Sequence, residues 1–137
     1  MKIKMLLCNC KGLCPSFKDT NMNTLPFHLE SELDIEYAVL HPQLCGQGGN
    51  VVLSEALRNA DDDTRVVVGA CAPEAQEKLF KKVLRMTGFN ERRFIPVDIR
   101  GTDNEGILER LRKAVETLAK RPAEVAAKRA RQPCLGN

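Results

Sequence analysis

Five cysteines dominate the chemistry this chain can offer. Cys8, Cys10 and Cys14 fall within seven positions in "LLCNCKGLCPSF" (6–17), Cys45 lies in "HPQLCGQGG" (41–49), and Cys71 lies in "GACAP" (69–73). Thiols at this density bind metal or exchange disulfides. A structural zinc module would show paired Cys-x2-Cys knuckles, which are absent. A dithiol redox site would show Cys-x-x-Cys, which is absent too. Iron–sulfur binding is therefore the leading expectation, with Cys8, Cys10, Cys14, Cys45 and Cys71 as candidate ligands. The alternatives are a thiol or persulfide redox protein using Cys45 or Cys71 as an activated nucleophile, and a zinc-stapled module.

The elements that must position these thiols are legible in the hydrophobic pattern. Four short apolar runs, 2–7, 35–40, 65–70 and 93–99, read as strands buried on both faces. Helical patterns alternate with them. Leu25, Leu29 and Leu33 recur in 23–33, and Val52, Leu53, Ala56 and Leu57 in 50–60. In 73–88, Pro73 opens and Gly88 stops a helix whose expected inner stripe is Ala75, Leu79, Val83 and Met86. A fourth is expected to start at Thr102 with Glu105 as a capping box, turning Ile107, Leu108, Leu111, Val115 and Leu118 inward.

The order βαβαβαβα predicts a single three-layer α/β domain with a mainly parallel sheet and right-handed crossovers. Its bounds are 1–120, followed by a basic C-terminal tail, 121–137. In such a sheet the segments after the first three strands share the carboxyl edge, where open α/β folds bind ligands. Distant cysteines are thereby expected to meet. Cys45 and Cys71 also stand just before helices, where backbone N–H groups and the helix dipole favour a thiolate. Gly46, Gly48 and Gly49 are candidate cofactor-binding residues, expected to let the backbone approach a bulky group. The glycines match neither a phosphate loop nor a dinucleotide fingerprint. His41 could reach the same edge but reads as a satisfied loop histidine, and Cys134 near the end of the tail reads as uninvolved.

Length and charge bound the rest. At 137 residues with 43% hydrophobic content, the chain fits one core. "MKIKMLL" is too short for a signal-peptide apolar region and no window approaches a membrane span, so a cytoplasmic protein without a membrane span is expected. The tail holds Arg121, Lys128, Arg129 and Arg131 against Glu124, which accounts for the net charge of +3, and the remaining chain is neutral. A neutral body offers no basic face, so nucleic acid is not expected as a partner.

Four motifs recur together. "CNCKG", "LCGQGG", "VVVGACAPEAQEKLFKKVLRMTGFNERRF" and "DIRGTDNEG" resemble, in order, the Cys-x-Cys-Gly-Gly, Met-Cys-Ser with Gly-Gln, Ala-Cys-Ser-Pro and Ile-Arg-Glu-Gln-Cys segments of one family. It comprises the N-terminal domain of the iron–sulfur flavoprotein of heterodisulfide reductases, together with related small hydrogenase and heterodisulfide reductase iron–sulfur subunits. The resemblance covers about residues 3 to 118. It implies an electron-transfer component of an oxidoreductase complex, itself non-catalytic, with an iron–sulfur cluster expected as [4Fe–4S]. It also implies partners of the flavoprotein or hydrogenase type, with FAD only on a partner chain. Lys11 stands where the family has glycine, Cys14 is additional, and "RGTD" puts Thr102 or Asp103 where the family has cysteine. Cys14 or the Asp103 carboxylate would then supply that ligand.

Overall fold

The structure is a computed structural model that describes residues 1–10 and 15–120. Cys14, Cys134 and the expected basic tail lie outside the described residues. Strands β1 (Lys2–Cys8), β2 (Tyr37–His41), β3 (Thr64–Ala70) and β4 (Phe94–Asp98) alternate with helices α1 (Leu25–Glu32), α2 (Gln47–Arg58), α3 (Pro73–Thr87) and α4 (Asn104–Lys120). All strand pairs are parallel, in the order β2-β1-β3-β4.

Alternation along the strands divides the core in two. Ile3, Met5 and Leu7 of β1 and Val67 of β3 face one side, where Leu25 and Leu29 of α1 and Ile107, Leu111 and Val115 of α4 cover them. Leu6 and Cys8 of β1 with Val66, Val68 and Ala70 of β3 face the other side, under Leu53 and Leu57 of α2 and Phe80 and Leu84 of α3. Burying one such aliphatic side chain contributes about 1.5–3 kcal/mol, so each helix is held by its apolar stripe. The connection from β1 to β2 runs one way along the sheet and those from β2 to β3 and β3 to β4 run the other. Crossovers of one hand must then place α1 opposite α2 and α3, as observed.

Three local expectations are corrected. In α3 the buried stripe is Gln76, Phe80, Val83 and Leu84, while Leu79 and Met86 are exposed. Phe80 sets this rotation, since its ring packs edge-on against Phe94 at 6.1 Å. Helix α2 starts at Gln47, so Gly48 and Gly49 belong to its first turn rather than to a loop. Helix α4 is capped by Asp103 instead of Thr102: the Gly106 N–H donates to Asp103 Oδ1 at 2.9 Å. A Cβ at Gly106 would lie 1.9 Å from Thr102 Oγ1, so Thr102 packs against the first turn instead of heading it.

Among the described residues, no helix is long and apolar enough to cross a membrane.

Candidate metal centre

Strand register brings the site together. Cys8 pairs with His41, Leu7 with Gly69, and Ala70 with Asp98, so His41, Cys8, Ala70 and Asp98 form one row at the carboxyl edge. The chain reverses its direction along the sheet between β1 and β3, which makes their carboxyl ends the crevice of the fold. Cys8 closes β1 and Cys71 directly follows β3, so two candidate ligands flank that crevice. Cys10 leaves it with φ 51°, a left-handed conformation that a non-glycine residue holds only under strain.

Cys45 and Cys71 stand just ahead of Gly46 and Ala72, the N-caps of α2 and α3, and neither cap makes a side-chain hydrogen bond. The opening turns of both helices therefore present backbone N–H groups toward the edge where the thiols lie. Cys10 and Cys45 are exposed and Cys71 is half-buried, whereas Cys8 is buried.

Burial pushes the Cys71 thiol up from its ordinary value, and the charges of Cys8 and Cys45 push the same way, while its backbone N–H and Arg100 oppose them. The thiolate expected from helix placement is thus not favoured at Cys71 in the metal-free chain, because desolvation outweighs the helix end and the arginine. Arg100 itself is held by two bonds to Asp98, Nε to Oδ1 at 3.1 Å and Nη2 to Oδ2 at 3.0 Å. Arg110 of α4 donates to the carbonyls of Asp98 and Arg100 at 3.0 and 2.8 Å. Neither Arg100 nor Arg110 is assigned a role at this edge from the sequence.

Two polar side chains brace the thiols. Gln76 is fully buried and donates to the carbonyls of Cys71 at 2.7 Å and Val97 at 3.1 Å. His41 Nδ1 accepts the Gln43 N–H at 3.0 Å, the loop role expected of it. The glycines divide in function. A Cβ at Gly49 would lie 2.0 Å from the Gln43 carbonyl oxygen, so packing alone requires glycine there. At Gly46 it would meet only the flexible Gln43 side chain, at 3.0 Å. At Gly48 it would meet nothing within 4 Å.

Asp103 spends its carboxylate on the α4 cap. Among the described residues, no group of three or more His, Cys, Asp or Glu side chains is gathered for a metal ion. The segments that follow β1, β2 and β3 each carry a cysteine at this edge. Soft thiol donors so distributed, beside helix N-termini and an arginine that balance negative charge, fit an iron–sulfur cluster in donor chemistry.

No protein-family model matches this sequence, and no curated protein matches it.

Proposed function

We propose that this chain is an iron–sulfur electron-transfer subunit, non-catalytic in itself, of a heterodisulfide-reductase-like or hydrogenase-like complex. The observation that carries the reading is the placement of Cys45 and Cys71 at the carboxyl edge of the sheet, each just ahead of a helix with no side-chain cap. When bound, a [4Fe–4S] cluster would supply one-electron transfer. Cys45 and Cys71 would hold it, with the other ligands drawn from Cys8, Cys10 and Cys14 of the segment that follows β1. Arg100, fixed by Asp98, would offset the charge of the thiolates, and Gln76 would hold the backbone of Cys71 in place.

The complex type rests on the four motifs that resemble the heterodisulfide reductase domain. By the same resemblance, FAD would be carried by a partner flavoprotein or hydrogenase-type chain. The test is anaerobic mixing of the iron-loaded chain with a dithionite-reduced flavoprotein. Bleaching of the visible band is expected. A colourless chain that accepts no electrons would contradict the proposal.

A further inference from the structure

We infer that Asn104 is a positioning residue of this site: its side-chain amide fixes the segment that follows β1 to the loop after β4, the loop that also steadies Cys71. The inference rests on the iron–sulfur reading and deepens it.

Asp103 caps α4, which leaves the side chain of Asn104, the first helical residue, to bond elsewhere. Its Oδ1 accepts the Asn21 N–H at 2.8 Å, and its Nδ2 donates to the Asn21 carbonyl at 3.1 Å. One side chain thus satisfies both backbone groups of a residue far away in sequence. A second tie lies upstream, where the Ser16 carbonyl accepts the Gly101 N–H at 2.9 Å. Gly101 has φ 72°, a left-handed conformation that suits glycine. Beside these ties, Phe17 and Met22 are buried in the same apolar cluster as Ile99 and Ile107. Residues 16–22 are therefore held on the loop after β4 by hydrogen bonds and by buried apolar side chains.

The other end of that loop reaches Cys71. The Ile99 N–H donates to the carbonyl of Ala70, the residue before Cys71, at 3.0 Å. Gln76 bonds the carbonyls of Cys71 and Val97. The segment after β1 and the end of β3 consequently hang on one stretch, 97–104, and Asn104 is the side chain that closes the attachment. Its amide supplies no ligand. It acts through the backbone it holds, as outer partners of a metal site orient the residues that bind.

Three variants of the full chain, reconstituted anaerobically with ferrous iron and sulfide, test this. Asn104→Ala removes both bonds to Asn21. In the metal-free protein it is expected to speed amide exchange across 15–24 about ten-fold. In the iron-loaded protein it is expected to alter the EPR signal and to release iron to a chelator about ten-fold faster. Asn104→Asp keeps the acceptor for the Asn21 N–H and suits a helix N-terminus. Its melting temperature should match the wild type, while exchange and EPR signal move in the same direction by less. Val115→Ala loosens α4 through a buried side chain in its other half, and should lower the melting temperature with the EPR signal unchanged. A wild-type EPR signal and release rate in iron-loaded Asn104→Ala, or wild-type exchange across its 15–24 segment, would overturn the positioning role and leave the iron–sulfur reading in place. The same EPR change in Val115→Ala would make Asn104 a general stabilising residue and overturn the role as well. A wild type that takes up no iron and sulfide would overturn the iron–sulfur reading and the positioning role together.

Discussion

The side-chain amide of Gln76 donates a 2.7 Å hydrogen bond to the carbonyl oxygen of Cys71. A second bond from the same nitrogen reaches the carbonyl of Val97, so one buried side chain in the first turns of α3 ties the end of β3 to β4. Gln76→Leu would leave two backbone acceptors unpaired at the cysteine edge, offset in part by loss of the unpartnered Gln76 Oε1. A net destabilisation of about 1–3 kcal/mol is expected in urea unfolding, together with faster iron loss.

The elements were legible because strands buried on both faces and helices with apolar stripes leave separate periodic signals. All five inward positions expected of α4, from Ile107 to Leu118, are buried. The rotation of α3 was not legible, because Ala75, Leu79, Val83 and Met86 make as regular a stripe as the one that Phe80 and Phe94 select by packing across the sheet. The placement of Cys45 and Cys71 at one sheet edge followed from strand order alone. Gln76 escaped notice because a glutamine in a helix reads as surface, and only burial against two carbonyls gives it a role.

Asp103 is a helix cap before it is anything else. Asp103→Ala should cost about 1 kcal/mol by loss of the bond to the Gly106 N–H. Iron content and EPR signal should be unchanged, and a change in either with Asp103→Ala would return the carboxylate to the ligand set.

The Asp98–Arg100 pair sets an acid limit. Hydrogen bonds and charge from Arg100 hold the Asp98 carboxyl below the usual carboxylate range. A lowered folded value means the pair stabilises the fold above the unfolded carboxylate value, near 4, and that this is lost as pH falls through the folded value. Melting temperature should therefore drop between about pH 5 and pH 2, with a shallower drop in Asp98→Asn.

Adjacent glycines should respond oppositely. Gly48→Ala meets open space in a helix and should stabilise by about 0.5–1 kcal/mol. Gly49→Ala meets backbone and should destabilise by about 2 kcal/mol or more while displacing Cys45. Urea unfolding of the two metal-free variants distinguishes these outcomes.

The most direct measurement is iron and acid-labile sulfide per chain after anaerobic purification, in the wild type and in Cys45→Ser and Cys71→Ser. About four of each are expected in the wild type, with a brown colour, and marked loss is expected in each variant because the two thiols approach from separate loops. Stoichiometric zinc without iron in the wild type, or full iron with an unchanged EPR signal in both variants, would contradict an iron–sulfur centre at this edge.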